Sequence, residues 1–206
     1  MTKIKICGIK TMKDALAAMD AGADLLGFNF YPRSPRYIDV GKCRDIMSVM
    51  RKYAQITYVG VFVNASAVQV RATMETCAIN LAQLHGDETP EVLAALHGKA
   101  FKAFRGVPVN PGGFARNDAP ALLVDASVKG AYGGTGVAAD WNGAMELAKQ
   151  YPILLAGGLT PENVKAAIEQ VRPWGVDVAS GVEASPGVKD ASRMKAFVKA
   201  ILDIRY

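Results

Sequence analysis

The sequence predicts an α/β fold in which eight parallel strands and their helices close into one compact (β/α)8 barrel, the TIM barrel. Three observations lead to this prediction. Eight short apolar runs alternate with about seven helical patterns along the chain. Most of these runs are continuous Val, Ile and Leu, which is typical of strands buried on both faces. The last two runs end in Gly-rich turns that suit a ligand at the barrel mouth.

A single domain spanning residues 1–206 accommodates these elements. The length of 206 residues lies near the lower limit of roughly 200 residues for such barrels, so few insertions are expected. No linker or shift in composition divides the chain. An open, doubly wound sheet is the competing architecture. It is disfavoured because no GxGxxG motif follows the first apolar run, and because the Gly-rich turns come at the seventh and eighth units.

The strands are expected where apolar residues run together between polar or Gly-containing segments. In chain order, these runs cover residues 3–7, 25–30, 57–63, 81–85, 100–104, 122–125, 153–156 and 176–180. Their regular alternation with helical patterns favours a parallel sheet.

The helices between the strands have recognisable starts. Thr11 precedes an acidic residue three positions further on, as an N-cap does. Thr89 and Thr160 are each followed by Pro and Glu, which predicts an N-cap, a proline at the first helical position and an acid in the first turn. Between residues 110 and 118, a Pro-Gly-Gly sequence permits only a short or irregular fifth helix. The remaining helix patterns cover residues 39–51, 66–77, 140–150 and 190–204, the first two opening at Asp39 and Ser66.

The composition excludes several classes of protein. Half of the residues are hydrophobic and 21% are charged, as in a soluble globular domain with a large core. No run approaches the ~20 apolar residues of a membrane span, and no signal peptide is expected. The net charge of +5 comes from scattered Lys and Arg, so nucleic-acid binding is not expected. Three dispersed cysteines without metal-binding spacing fit a reducing cytoplasm and no metal site.

The two Gly-rich turns predict a phosphate site. The first contains Gly157 and Gly158 before a helix start, and the second contains Ser180 and Gly181. Small residues leave backbone N–H groups uncovered, and a helix N-terminus adds partial positive charge. Two such turns at the last two strands are typical of a sugar-phosphate site in a barrel, with tight turns that bind nothing as the alternative.

Chemistry in such a barrel is expected at the C-terminal ends of the strands. The sequence places a thiol, Cys7, at the end of the first strand and a carboxylate, Asp125, at the end of the sixth. No Ser/His/Asp order and no pair of glutamates emerges, so these two groups are the strongest candidates for proton transfer. The structural alternatives are a buried apolar role for Cys7 and a cap or loop ion pair for Asp125.

Six groups of motifs span essentially the whole chain in order. They are KICGIK (5–10), GFNFYP (27–32) with SPR (34–36), QLHG (83–86), VD (124–125) followed by GGTG (133–136), AGGL (156–159), and DVASGVE (177–183) with SPG (185–187) and Lys189-Asp190. Each motif is weak alone. Together they resemble the phosphoribosylanthranilate isomerase family of tryptophan biosynthesis, and the chain departs from the family pattern at no position used for chemistry.

The resemblance implies an Amadori rearrangement of N-(5-phosphoribosyl)anthranilate to 1-(2-carboxyphenylamino)-1-deoxyribulose 5-phosphate, without a redox cofactor, pyridoxal or metal. It implies that Cys7 is the general base and Asp125 the general acid. A free thiol has a pKa near 8.5, so a base at neutral pH needs nearby positive charge or hydrogen bonds to the thiolate. A carboxylic acid that donates a proton needs a raised pKa.

Substrate-binding roles follow from the same resemblance. It implies that Arg36 pairs with the anthranilate carboxylate, for which a guanidinium fork has the right geometry. It also implies that the phosphate is bound by the two Gly-rich turns, through the following residues: Gly157, Gly158, Ser180 and Gly181. A solvated surface position is the alternative for Arg36.

Three further parts of the site have two possible roles each. Asp177 either reaches a sugar hydroxyl or faces the helix layer. His85 either contacts the ligand or only lines the wall of the site. The long Gly-rich segment 127–139 either closes over the ligand or remains a solvated loop.

Two other classes of function remain open at this stage. A lyase resembling indole-glycerol-phosphate synthase would use the same barrel but would place Lys at several strand ends, where this chain has Cys7 and Asp125. A non-catalytic phosphosugar-binding protein would keep the Gly-rich turns but not necessarily the acid and base. The expected partner is a small phosphosugar–anthranilate molecule, not nucleic acid or membrane. A cytoplasmic monomer is compatible with the sequence, which does not reveal the oligomeric state.

Overall fold

The computed structural model describes residues 1–126 and 140–204. Eight parallel strands form a closed barrel in which each strand pairs with its neighbours in chain order, and β8 closes on β1. The strands are β1 Lys3–Cys7, β2 Leu25–Asn29, β3 Thr57–Phe62, β4 Leu81–Leu84, β5 Ala100–Arg105, β6 Leu122–Asp125, β7 Ile153–Ala156 and β8 Gly175–Val178. The predicted (β/α)8 architecture is confirmed, and the open sheet is excluded by the β1–β8 pairing.

Seven α-helices within the described ranges surround the barrel. They are α1 Met12–Ala21, α2 Val40–Met50, α3 Ala67–Cys77, α4 Pro90–Ala94, α5 Trp141–Ala148, α6 Val164–Val171 and α7 Ala191–Leu202. Only a 3-10 turn, Gly112–Phe114, connects β5 to β6, as expected for the irregular fifth unit. Gly112 has a φ of 53°, which an α-helix does not accommodate. None of these helices is long and apolar enough to cross a membrane.

Several predicted helix starts are confirmed by their caps. The side chains of Thr11, Asp39 and Ser66 each accept a hydrogen bond from the backbone N–H three residues further on. The start predicted at Thr160 is wrong, because α6 begins at Val164.

A side-chain bridge explains the late start of α6. Asn163 Oδ1 accepts from the backbone N–H of Thr160, and its Nδ2 donates to the carbonyl of Gly158, both at 2.8–2.9 Å. The segment after β7 is therefore held as a separate turn, which keeps Gly158 at the barrel mouth.

The strand side chains alternate between two cores. Outward-facing residues such as Ile6 and Phe28 pack against the helices. Inward-facing residues such as Val59, Phe101 and Leu154 fill the barrel interior. Since alternate residues of a strand share a face, Lys5 and Cys7 both belong to the inner face of β1.

A short hairpin that the sequence analysis did not predict follows β8. Its strands are β9 Glu183–Ser185 and β10 Val188–Lys189. Gly187 turns the hairpin with a φ of 79°, and a Cβ there would overlap the carbonyl oxygen of Pro35. The hairpin therefore packs directly on the loop after β2 and brings Glu183 and Lys189 to the mouth of the barrel.

Candidate active site

The predicted site residues gather at the C-terminal edge of the barrel. Cys7 ends β1, Asp125 ends β6, and His85 directly follows β4. Around the barrel, β7 and β8 lie between β6 and β1. The two Gly-rich turns therefore lie between the candidate base and the candidate acid around the barrel.

The buried thiol of Cys7 packs against a glycine of the neighbouring strand. Gly27 of β2 is opposite Cys7 in the strand register. A Cβ on Gly27 would come within 2.8 Å of the Cys7 Sγ atom, so a larger residue would displace the thiol. Burial raises the pKa of the Cys7 thiol, and the positive charges of Lys5 and Lys189 offset part of this rise. The ligand-free thiol therefore holds its proton at neutral pH.

Asp177 faces the barrel interior and not the helix layer. Its Oδ1 accepts a hydrogen bond of 2.8 Å from Nζ of Lys5, whose side chain is 0% exposed. Burial would lower the pKa of the Lys5 ammonium, but the charge of Asp177 and the hydrogen bonds with Asp177 and Cys7 outweigh it and raise that pKa. Lys5 is therefore a charged group in the middle of the barrel.

Arg36 is held by a carboxylate of the hairpin. Its Nε and Nη2 donate to the two carboxylate oxygens of Glu183 at 2.8 and 2.7 Å. Lys189 Nζ donates to Glu183 Oε1 at 2.9 Å, and both side chains of that pair are almost fully buried. Although burial opposes it, these hydrogen bonds hold the pKa of Glu183 below its ordinary value. Arg36 is thus a fixed group and not a solvated surface residue.

The stem of Arg36 lies directly against the end of β1. Gly8 has a φ of 86°, and a Cβ there would come within 2.7 Å of the Arg36 Cδ atom. Glycine at this position therefore allows the Arg36 side chain to pass next to Cys7. The guanidinium group and the thiol occupy the same side of the mouth.

His85 is oriented by its neighbour on the inner face of β4. The Gln83 Nε2 atom lies 2.8 Å from His85 Nδ1. When the amide donates to Nδ1, the neutral imidazole carries its proton on Nε2. Burial lowers the pKa of His85, in spite of the nearby charge of Asp177, so the ring is neutral at physiological pH.

The two Gly-rich turns touch each other. Gly157 and Gly158 have φ values of 101° and 64°, in the left-handed region that favours glycine. Gly181 lies in a 3-10 turn after β8, and a Cβ there would overlap the carbonyl oxygen of Leu159. Within the described part of the chain, the backbone N–H groups of Gly158 and Gly181 donate to no backbone carbonyl. These groups are free to bind an anion.

A cavity of about 390 Å³ opens over these turns. Its wall includes Gly158, Ser180 and Gly181 of the two turns, but not Gly157, and also Arg193 at the start of α7. The Arg193 Nη1 atom donates to the backbone carbonyl of Glu183 at 3.0 Å, which holds the guanidinium beside the cavity. The cavity therefore combines backbone donors with a positive side chain, the combination that binds phosphate.

Asp125 completes the edge of the site at β6. It is paired in the strand register with Arg105 of β5, and it is partly exposed. Its charge also acts on His85. The segment 127–139, for which loop closure was one expectation, lies outside the described residues.

Sequence reasoning assigned no role to five residues of this site: Lys5, Gln83, Glu183, Lys189 and Arg193. For two of them a local signal existed. Lys5 is two residues before Cys7 and Gln83 two residues before His85, so period-two alternation places each pair on one face. No local signal connects Glu183 with Arg36, because their contact depends on the packing of the hairpin.

Comparisons with known proteins show the family to which this chain belongs. A model of the N-(5'-phosphoribosyl)anthranilate (PRA) isomerase family matches residues 4–200. The N-(5'-phosphoribosyl)anthranilate isomerase of Magnetococcus marinus is 46% identical over 202 residues, which covers 97% of this chain and 94% of the relative.

Solved structures give the same result. The crystal structure of phosphoribosyl anthranilate isomerase from Thermotoga maritima superposes with a TM-score of 0.83 at 34% identity, covering 99% of this chain and all of that one. A structure of the enzyme in complex with reduced 1-(o-carboxyphenylamino)-1-deoxyribulose 5-phosphate has a TM-score of 0.80 at 33% identity, with the same coverage. The chain therefore belongs to the N-(5'-phosphoribosyl)anthranilate isomerase family.

Proposed function

We propose that this chain catalyses the Amadori rearrangement of N-(5-phosphoribosyl)anthranilate to 1-(2-carboxyphenylamino)-1-deoxyribulose 5-phosphate, in tryptophan biosynthesis. The observation that carries the proposal is the arrangement at the barrel mouth. A thiol ends β1 and a carboxylate ends β6, on either side of β7 and β8, whose Gly-rich turns line the cavity. A sugar bound by its phosphate in that cavity therefore has one proton-transfer group on each side.

The reaction needs one proton added and one removed. Asp125 protonates the ring oxygen of the furanose, so the C1–O bond breaks and a Schiff base forms at C1. Cys7 then removes the proton from C2, and the electron pair moves into the C1–C2 bond to give an enolamine. Tautomerisation of the enolamine gives the ketone. The substrate's own nitrogen accepts the electrons, so no redox cofactor takes part.

The environment of Cys7 suits the removal of a proton from carbon. Burial raises the pKa of the thiol, and a thiolate derived from a weaker acid is a stronger base. Burial also reduces the thiolate fraction at neutral pH, and the positive charges of Lys5 and Lys189 make this reduction smaller. The proposed base therefore gains strength from burial while its charged form keeps two cationic partners.

Arg36 is proposed to bind the anthranilate carboxylate. Glu183 uses Nε and Nη2 of the guanidinium, whereas Nη1 makes no hydrogen bond to any of the described residues. A carboxylate approaching from the mouth would meet a group whose orientation is already fixed. This preorganisation lowers the entropy cost of binding.

The phosphate is proposed to bind to the two Gly-rich turns. The backbone N–H groups of Gly158, Ser180 and Gly181 at the cavity wall, with that of Gly157 next to them, supply neutral donors, and Arg193 supplies a positive charge. Two further groups are proposed to contact the sugar. Asp177 uses Oδ1 for Lys5 and keeps Oδ2 for a hydroxyl, and the neutral His85 offers the N–H at Nε2.

The proposal also includes the number of domains, the oligomeric state and the location of the protein. We place all of residues 1–206 in one domain, in a cytoplasmic monomer whose only partner in the reaction is the small-molecule substrate. Sedimentation equilibrium over a range of protein concentrations tests the monomer. A mass that rises to twice the chain mass would reject it.

A fluorescence assay tests the activity. Phosphoribosylanthranilate is generated in situ and mixed with the purified protein without added metal or cofactor. We expect rapid loss of the anthranilate-type fluorescence, abolished by Cys7→Ser. Cys43→Ala is the matched control, because Cys43 is a buried cysteine of α2 away from the mouth, and it should retain activity. Fluorescence loss no faster than the spontaneous reaction would reject the proposed function.

A further inference from the structure

The barrel interior contains a buried ion pair that the proposed proton transfers do not by themselves require. The side chain of Lys5 is 0% exposed and that of Asp177 10% exposed, and they are joined at 2.8 Å. Apolar residues fill the barrel interior beside this pair, and Leu25 is paired with Lys5 in the strand register. A buried ion pair rarely stabilises a fold more than well-packed apolar residues would, because both charges must leave water. A role other than stabilising the fold is therefore expected for the Lys5–Asp177 pair.

The ammonium group of Lys5 lies next to the thiol of Cys7. Both side chains project from the inner face of β1, two residues apart. A Cβ on Gly27 would lie 2.8 Å from Cys7 Sγ and 3.2 Å from Lys5 Nζ. The two atoms therefore border the same small space, which the absence of a side chain at Gly27 keeps open.

The ion pairs around Cys7 carry one excess positive charge. Three cations face two carboxylates: Lys5 of β1, Arg36 of the loop after β2 and Lys189 of β10 against Asp177 of β8 and Glu183 of β9. On the other side of the mouth lie Arg105, Asp125 and His85, and the ring of His85 is neutral. The excess charge is balanced when the thiol becomes a thiolate.

We infer that Lys5 is a positioning residue of the proposed reaction: its ammonium group, fixed by Asp177, is the counter-charge of the Cys7 thiolate. The inference rests on the proposed function, since it takes Cys7 as the base. Lys5 acts through Cys7 and not on the substrate, because its side chain is fully buried below the mouth. Asp177 then has two tasks, which are to hold Lys5 with one oxygen and to meet the sugar with the other.

The test measures the protonation of Cys7 directly. The rate of iodoacetamide labelling at Cys7 is followed against pH, with the labelled peptide resolved by mass spectrometry so that Cys43 and Cys77 do not interfere. Lys5→Met should raise the apparent pKa of Cys7 by about one unit or more, which means roughly tenfold slower labelling at neutral pH. The pH profile of kcat/KM should shift in the same direction.

A second variant separates this role from a structural one. Asp177→Asn removes a negative charge near the thiol but keeps a hydrogen-bond acceptor for Lys5, so it should lower the apparent pKa of Cys7. If the ion pair had only a structural role, replacing either Lys5 or Asp177 would shift the apparent pKa of Cys7 in the same direction. Shifts of the same sign in both variants would therefore overturn the inference, as would a folded Lys5→Met protein with an unchanged pKa.

A matched control is available on the outer face of the barrel. Lys102 is also a buried lysine, paired with Glu88 at 2.7 Å, but it lies on β5 among the outward-facing residues. Lys102→Met should leave the labelling of Cys7 unchanged. If Lys5→Met does not fold, Asp177→Asn decides alone, and an unchanged or raised pKa rejects the inference. Labelling of Cys7 needs no substrate, so it is independent of the isomerase assay. If the apparent pKa of Cys7 shifts as expected but the protein has no isomerase activity, the proposed function is rejected and Lys5 remains the counter-charge of the thiolate.

Discussion

Replacing Gly181 with alanine should weaken binding of the substrate phosphate while leaving the proton-transfer groups in place. Gly181 has no positive φ, so an alanine there meets no backbone strain. The obstacle is steric. The new Cβ would lie 3.0 Å from the carbonyl carbon of Leu159 and nearer still to its oxygen, where ordinary contact begins at 3.4 Å. Both atoms are backbone, so the two Gly-rich turns must separate.

The size of the effect follows from this separation. A shift on the order of 1 Å is enough to misplace a bound group and lower activity about 100-fold. Hydrogen bonds to charged groups contribute roughly 1.5–3 kcal/mol each. Loss of one or two donors to the phosphate therefore corresponds to about 3 kcal/mol, a rise on the order of 100-fold in KM. Since the phosphate does not react, kcat should fall much less than kcat/KM.

The assay compares steady-state kinetics with direct binding. Calorimetric titration with reduced 1-(o-carboxyphenylamino)-1-deoxyribulose 5-phosphate should show weaker binding by the same factor. Gly41→Ala is the control, because Gly41 lies in α2, where alanine favours the helix. A KM for Gly181→Ala within threefold of the parent would show that the turns do not hold the phosphate as argued.

Three further predictions concern the other groups of the site. Asp125→Asn should lower kcat by at least about 100-fold in the fluorescence assay, the lower end of general-acid effects, and should still bind the reduced product analogue; near-normal turnover would remove Asp125 from the role of acid. Arg36→Met should raise KM about tenfold or more with a smaller change in kcat, since it removes a charge-assisted contact to a carboxylate that does not react, and an unchanged KM would reject that contact. The proposed base is the thiolate of Cys7, and the pKa of this thiol is raised in the folded chain. We therefore expect kcat/KM to increase with pH up to and beyond pH ~8.5. A plateau reached below pH ~7 would contradict Cys7 as the base.

The raised pKa of the Cys7 thiol also makes the stability of the fold depend on pH. This contribution to stability falls as pH rises, whereas activity increases. A folded-state pKa above that of the unfolded chain means that the folded protein holds the thiol proton more tightly. This contribution is fully present below the unfolded pKa of about 8.5 and is lost as pH rises through the folded pKa. Activity and this part of the stability therefore change in opposite directions in alkaline solution.

The sequence by itself determined the order of the elements and the place of the main chemical groups. Continuous apolar runs give buried parallel strands, and a polar residue that ends such a run must lie at the mouth of a barrel. That local rule was enough to place Cys7, Asp125 and His85, and the glycines of the two turns. The start of α6 was misjudged because the Asn163 side chain holds the preceding turn apart from the helix.

Only the tertiary structure decided how the charged residues pair. Lys5 and Asp177 are 172 positions apart and meet because β8 closes on β1. Arg36 and Glu183 are 147 positions apart and meet because the hairpin packs on the loop after β2. Patterns of period 2 or 3.6 report the face on which a residue lies but not the partner across the fold. The partner of each buried charge, and with it the electrostatic environment of Cys7, is therefore fixed by barrel closure and loop packing.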